Sequence, residues 1–242
     1  MTAQRSGGHG INLDPWLSHY ADRANGLSAS EVCALFAVAS RPEVVSLAGG
    51  MPAVSALPLE LISDSVQRVM ADAGPTALQY GSGQGLPVLR EQILEICALE
   101  GIDASANNIV VTTGSQQALD LITKLFIDEG DVVFVESPSY LGALGIFRSY
   151  QADVQHVETD DDGMIPEALE SAIAAAKATG KAMKFLYLIP NFNNPSGVTL
   201  SAERRPLLIE IAKRHKILII EDNPVARSFL CRVVRESFSD AM

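Results

Sequence analysis

Four side chains that could do chemistry each follow an apolar run that predicts a β-strand: Ser115, Tyr140, Asn194 and Asp222. An aspartate at the end of a buried strand costs free energy unless something there needs its charge. Asp222 could instead cap the turn before Pro224, which is a common use of this residue type. Together, a hydroxyl, a phenol ring, an amide and a carboxylate suit a ligand that carries a phosphate and a flat aromatic ring.

Each of these residues has a plausible contact with such a ligand. The turn Gly114-Ser115-Gln116 opens a predicted helix, where free N–H groups would hold a phosphate, although Ser115 could simply cap the helix. Tyr140 would cover one ring face, although packing in the core is the commoner use of a lone tyrosine. Asn194 could donate to a ring oxygen. Asp222 could pair with a protonated ring nitrogen, which keeps the ring electron-poor, as carbanion chemistry requires.

The elements that must position these residues alternate between strands and helices from about residue 109 to residue 221. Such alternation predicts βαβ units, a mainly parallel sheet and covering helices. Ligands of these sheets bind beyond the carboxyl ends of the strands, which is where all four side chains fall. The predicted strands are Ile109–Thr112, Val132–Val135, Asp153–Val157, Lys184–Ile189 and Ile217–Ile220.

The N-terminal third adds two predicted helices and a glycine pair. A capping box begins the first helix, Ser28–Ala39, while Pro58 begins the second helix and Gly74-Pro75 should end it. The pair Gly49-Gly50 allows a close backbone approach to a ligand, although a plain turn is the simpler explanation of the pair alone. The second helix is expected to bury an apolar face that consists of Leu59, Ile62, Val66 and Val69.

Composition narrows the possible functions. The formal net charge is −11 and no basic stripe offsets it, which argues against a nucleic-acid partner. Cys33, Cys97 and Cys231 lie far apart, without disulfide or metal-ligand spacing, and this suits a reducing compartment. No signal-peptide pattern and no membrane-length apolar run occurs. We therefore expect a cytoplasmic protein with no metal site and no membrane contact.

Six short motifs occur along the chain, and each is weak by itself. They are SLAGGMP (46–52), YGSGQGLPVLR (80–90), TTGSQQALD (112–120), ESPSYLG (136–142), PNFNNPSG (190–197) and IIEDNP (219–224). In this order and spacing, over about residues 28–224, the set closely resembles the fold type I pyridoxal-phosphate aminotransferases of class I/II. The chain is most similar to the branch that holds α-aminoadipate and aromatic transaminases and the effector domains of GntR-type regulators.

The resemblance implies a three-layer α/β sandwich and pyridoxal 5′-phosphate as the cofactor. It assigns the phosphate contact to the 114–116 turn and ring stacking to Tyr140. It assigns the ring 3′-oxygen to Asn194 and the pyridinium nitrogen to Asp222. The implied reaction moves an amino group between an α-amino acid and a 2-oxo acid.

Three further residues receive roles from the same resemblance. Tyr80 would reach the cofactor phosphate of a neighbouring subunit, because sites of this family are shared across a homodimer. Gly50 or its neighbour Gly49 would line the site of the substrate carboxylate. Substrate choice depends on regions that the sequence does not match, so the particular amino acid is not predicted.

The chain departs from the family pattern after Pro224. Val225 stands where the family has a tyrosine that helps hold the 3′-oxygen, and the substrate-binding arginine is missing. The family's Schiff-base lysine follows the position of Asp222 at some distance, but no lysine follows Lys216 here. The residues at 237–239 echo the sequence before that lysine, but the spacing is too short.

These departures lead to several expectations. The 242 residues comprise a flexible arm (1–27), an incomplete aminotransferase region (28–224) and an atypical tail (225–242), as in a truncated or frame-shifted product. We expect no amino transfer from them, and no site for catalysis by a lysine. The sheet should lack two central strands, which the tail could hardly supply. The alternative is a non-catalytic remnant that binds the cofactor or a full-length paralogue. Residues 1–40 are too short and too non-basic for the DNA-binding half of a regulator.

Overall fold

A six-stranded sheet forms the centre of the molecule. The computed structural model describes residues 56–224 continuously and the backbone of 230–234, besides isolated positions between 16 and 24 and between 41 and 45. The strand order is β3-β2-β1-β4-β5-β6, and the four middle strands run parallel. The strands are β1 Val132–Ser137, β2 Asp153–Asp160, β3 Gly163–Met164, β4 Met183–Leu188, β5 Leu218–Asn223 and β6 Leu230–Val234.

Helices cover both faces of this sheet. Pro87 and Pro166 occupy first-turn positions, where the missing N–H is tolerated, and so begin two of the helices. The helices are α1 Leu59–Ala77, α2 Pro87–Leu99, α3 Ser115–Phe126, α4 Leu141–Ser149, α5 Pro166–Ala178 and α6 Arg204–His215. A 3₁₀ turn spans Ala106–Asn108.

The alternation of side chains along the strands produces two apolar layers. Val132 and Phe134 of β1 face a cluster with α5 and α6, whereas Val133 and Val135 face a second cluster with α3 and α4. In the second cluster Phe147 meets Phe185 and Tyr187 edge-on. These contacts confirm the predicted α/β fold of three layers with a mainly parallel sheet.

One predicted strand, Ile109–Thr112, is wrong. The residues are described, but they belong to no sheet, and the segment's one long-range backbone hydrogen bond among the described residues runs from the Val111 N–H to the Gln84 carbonyl, at 2.9 Å. A strand needs a neighbour with which to pair, and β-branched residues alone do not provide one. The tail contributes β6, which pairs antiparallel with β5. The tail thus supplies one strand, of opposite direction to its neighbour.

The helix after Pro58 also differs from the prediction. Pro58 is the N-cap rather than the first helical residue, and α1 continues through Pro75 to Ala77 after a non-helical residue at Ala73. The regular helical geometry breaks at Ala73, directly before the predicted Gly74-Pro75 end, and a short helical turn follows, near whose start a proline is tolerated. The face predicted to be buried is exposed, since Leu59, Ile62, Val66 and Val69 all remain accessible.

Several predictions fall outside the described residues. They concern the helix Ser28–Ala39, most of the arm 1–27, the pair Gly49-Gly50 and the position of Val225. In the part of the chain that the structure describes, no helix combines the length and the apolar character that crossing a membrane would need.

Candidate active site at the carboxyl edge of the sheet

Three neighbouring parallel strands bring the predicted site residues to one edge. The carboxyl ends of β1, β4 and β5 lie side by side, with Val135 opposite Tyr187 and Leu188 opposite Glu221. The segments that follow β1 and β4 carry Tyr140 and Asn194, and Asp222 lies within β5 near its end. The parallel arrangement thus places three of the four predicted groups at the same edge.

Asp222 is a buried carboxylate with one described side-chain partner. It is 5% exposed, and the Tyr187 hydroxyl donates to its Oδ2 at 2.7 Å. Burial raises the pKa of Asp222, and the hydrogen bond from Tyr187 opposes that rise by stabilising the charged form. Asp222 lies two residues beyond Ile220 on the same face of β5, so it faces the layer that contains α3 and α4.

The turn before α3 leaves a helix N-terminus open. Gly114 is the N-cap with φ of 78°, and no side chain caps the first turn. Ser115 is therefore the first helical residue, which removes the simpler interpretation that it caps this helix. Ser115 and Gln116 are exposed, whereas Leu119, one turn on, is buried in the same cluster as Ile220. The free N–H groups can donate hydrogen bonds to an anion, as helix N-termini commonly do.

Tyr140 lies between β1 and α4, half-buried against the second apolar cluster. Gly142 allows this position, because a Cβ added there would overlap the Tyr140 ring. The neighbouring Ser139 is 4% exposed, and its Oγ is one of two buried side-chain polar atoms that have no hydrogen-bond partner among the described residues. This edge therefore carries an aromatic face and an unused hydroxyl.

The loop after β4 turns one asparagine inward and the next one outward. Asn193 is buried, and its Nδ2 donates to Glu136 at 2.8 Å. Its Oδ1 accepts from the Ser196 hydroxyl at 3.0 Å. Asn194 is exposed, and within the described region its side chain has no hydrogen bond to Ser115, Tyr140 or Asp222. Its amide is thus available to a ligand.

Glu136 is a site residue that the sequence reasoning missed. It is 2% exposed at the end of β1, and its Oε2 accepts the Ile189 N–H at 2.7 Å. Burial raises the pKa of Glu136 from 4.5 to about 7, and the bonds from Ile189 and Asn193 oppose that rise. The signal was present, because Glu136 follows an apolar strand just as Asp222 does.

Tyr80 does not join this edge. Its side chain is 99% exposed, within the loop between α1 and α2. The other predicted groups in the N-terminal part, Gly49 and Gly50, lie outside the described residues. The chain thus gathers Tyr140, Asn194 and Asp222 at one edge and places the 114–116 turn on the apolar layer that Asp222 faces.

The chain matches the family "Aminotransferase class I and II" over residues 42–223. It belongs to this family. The match covers five of the six motifs in full and the sixth up to Asn223, next to Pro224, where the resemblance in the sequence also ends.

Several relatives agree on this family. The aromatic-amino-acid aminotransferase 1 of Thermococcus litoralis is 39% identical over 85% of this chain and 50% of its own length. The 2-aminoadipate transaminase of Thermus thermophilus is 33% identical over 86% of this chain and 50% of its own length. An uncharacterised HTH-type transcriptional regulator of Escherichia coli, YjiR, is 32% identical over 76% of this chain and 38% of its own length.

Solved structures give the same result for the fold. Pyrococcus horikoshii kynurenine aminotransferase, solved in complex with PMP, is 38% identical with a TM-score of 0.78, over 86% of this chain and 51% of that one. An archaeal alanine:glyoxylate aminotransferase is 36% identical with a TM-score of 0.82, over 86% of this chain and 52% of that one. The chain therefore spans about half the length of these relatives.

Pyridoxal phosphate is the cofactor of this family, and the described residues fit it. An uncapped helix N-terminus suits its phosphate, and a buried carboxylate on the same side of the sheet suits a protonated ring nitrogen. Tyr140 offers a ring face nearby. Among the described residues, the Ser139 hydroxyl has no hydrogen-bond partner and is therefore available to a ligand.

Burial of Glu136 predicts a loss of stability as the pH rises. The folded state holds this proton more tightly than the unfolded state does, so the contribution is complete below about pH 4.5 and is lost as the pH rises through about 7. The shift corresponds to about 3 kcal/mol. In urea unfolding, raising the pH from about 4.5 to about 7 should lower the free energy of unfolding by about 3 kcal/mol more in the wild type than in Glu136→Gln. Parallel pH curves would contradict this.

The bond from Tyr187 to Asp222 predicts a substitution whose cost depends on pH. Tyr187→Phe should lower the free energy of unfolding by about 2 kcal/mol where Asp222 is ionised, because hydrogen bonds to charged groups are the stronger ones. The cost should shrink as the pH falls and Asp222 takes up its proton. Equal costs at low and high pH would show that the hydroxyl does not stabilise the carboxylate.

Proposed function

We propose that the protein to which these residues belong transfers an amino group between an α-amino acid and a 2-oxo acid, with pyridoxal phosphate as cofactor. The observation that carries the proposal is the buried Asp222, which faces the same layer as the uncapped N-terminus of α3. A carboxylate in that position has a large desolvation cost unless a cationic group completes it. A protonated pyridine ring would do so.

Each described residue has one task in this proposal. The N–H groups at the start of α3, with Ser115 and Gln116, bind the phosphate and so fix one end of the ring. Tyr140 covers a face of the ring and keeps water from it. Asn194 donates to the 3′-oxygen. Asp222 accepts a hydrogen bond from the protonated ring nitrogen, and Tyr187 stabilises Asp222 in its charged form. When bound, the cofactor supplies an electron sink for charge that develops at the substrate Cα.

Amino transfer also requires a group that moves a proton at the substrate Cα, which is the lysine in this family. No lysine follows Lys216 in the sequence. We therefore expect the 242 residues to bind the cofactor without transferring an amino group, and we assign transfer to the whole protein. Co-purification with an intact aminotransferase would favour the alternative of a cofactor-binding remnant beside a paralogue.

We further propose that the protein is a cytoplasmic homodimer. The sparse cysteines of the sequence support a reducing compartment. Two features support a second copy: the exposed Tyr80 and the apolar stripe on α1, which consists of Leu59, Ile62, Val66 and Val69. A stripe at this spacing on one helix face is unusual for a surface that remains in water.

Binding of pyridoxamine phosphate tests the cofactor site directly, because this form already carries its amine and needs no lysine. We expect the purified chain to bind it, as measured by calorimetry. Asp222→Asn should weaken binding at least about tenfold, through loss of the charged partner of the ring nitrogen. Asp161→Asn, in the exposed turn after β2, is the matched control. Equal affinities of both variants would exclude the assigned role of Asp222.

The mass of the chain in solution tests the dimer. We expect light scattering after gel filtration to give twice the mass of one chain. Val66→Glu should halve that mass, because a charge in the apolar stripe opposes its burial. Gln67→Glu, a neighbouring exposed position on α1, adds the same charge outside the stripe and should leave the dimer intact. A monomeric wild type would overturn the proposal.

A further inference from the structure

We infer that Glu136 is a positioning residue for the cofactor site, which anchors Asn193 so that Asn194 faces the ligand. The inference rests on the proposed function, since it concerns the contact between Asn194 and the cofactor. Glu136 itself touches neither ligand nor reacting atoms; it acts through the loop that follows β4. Glu136 is the first residue of the motif ESPSYLG, but the family resemblance assigns it no role.

The Glu136 carboxylate receives two hydrogen bonds at one oxygen. One oxygen, Oε2, accepts both the Ile189 N–H at 2.7 Å and the Asn193 Nδ2 at 2.8 Å. Glu136 lies at the end of β1, and Ile189 is the first residue after β4. The two bonds are both buried, and they join the end of β1 to the start of the loop that follows β4.

Asn193 is hydrogen-bonded through both its backbone and its side chain within that loop. Its N–H donates to the Val198 carbonyl at 2.8 Å, and its carbonyl accepts the Gly197 N–H at 2.6 Å. Its side-chain oxygen accepts from Ser196, while its side-chain nitrogen donates to Glu136. Asn193 thus holds the turn together, and Glu136 and Ser196 fix the two ends of its side-chain amide.

The anchored Asn193 sets the direction of its neighbour, Asn194. Asn193 is buried and Asn194 is exposed, so the inward anchor of the first determines the outward direction of the second. The opposite side of the loop is held separately, because Asn191 donates to Asn223 at 3.2 Å and accepts from Arg205 at 2.9 Å. Glu136 is therefore the anchor on the β1 side, and its loss leaves the loop held from one side.

Two ligands test this inference in the full chain at about pH 8, where Glu136 is largely ionised. One is pyridoxamine phosphate, and the other is its analogue without the 3′-hydroxyl. Glu136→Gln keeps the shape of the side chain but places a donor or a weaker acceptor against Asn193. It should weaken binding of pyridoxamine phosphate about tenfold, since a charge-assisted bond is lost. It should leave the affinity for the analogue unchanged, because Asn194 has no oxygen to bind there.

Asn193→Ala provides a second route to the same result, in case Glu136→Gln fails to fold. It should reproduce the loss, and the double variant should bind no more weakly than either single variant. Hydrogen exchange should rise at the amides of Ile189, Gly197 and Val198 in both. Glu158→Gln is the control: this exposed glutamate lies on β2, which β1 separates from β4, and its substitution should change neither affinity nor exchange.

The possible results are distinct. Equal loss of affinity for both ligands would show a general structural role and overturn the inference. If the wild type binds pyridoxamine phosphate and Glu136→Gln binds it equally well, the inference is overturned as well. A wild type that binds neither ligand would refute the proposed cofactor function and, with it, the positioning role. Hydrogen exchange would then report only whether Glu136 anchors the loop.

Discussion

The carboxylate of Asp222 determines much of what surrounds it. A buried aspartate is costly unless hydrogen bonds or an opposite charge stabilise its ionised form. Tyr187 supplies one hydrogen bond from the neighbouring strand, and that requires β4 and β5 to be parallel and in fixed register. The remaining cost of burial still raises the pKa of Asp222. We propose that this cost favours the binding of a positive group, at the rigid edge that the parallel strands provide.

A second buried carboxylate, that of Glu136, has a different role at the same edge. Glu136 faces two N–H donors and is used to hold backbone and side chain of the loop after β4. The two acids thus differ in role, since we propose that Asp222 pairs with the charge of a ligand, whereas Glu136 accepts its hydrogen bonds from the chain itself. Both depend on apolar strands that exclude water, which is why both have raised pKa values.

Much of this arrangement could be predicted from sequence, for identifiable reasons. Apolar runs at β1, β4 and β5 are short and bounded by turn residues, so their identity and the residues after them were clear. The strand at Ile109–Thr112 was wrong because pairing depends on a distant neighbour, which local composition does not encode. The prediction that the apolar stripe of α1 is buried within the chain was wrong for a related reason, since periodicity identifies an apolar face but not what covers it. Glu136 was missed because its acid-after-strand signal was applied only to Asp222.

We propose above all that Asp222 keeps a bound pyridine ring protonated. The most direct measurement is the nitrogen-15 chemical shift of ring-labelled pyridoxamine phosphate bound to the chain, followed across pH. We expect a protonated ring nitrogen at a pH where the free ligand has lost that proton, and loss of this protonation in Asp222→Asn. A bound ring that titrates like the free ligand in the wild type would exclude this role of Asp222.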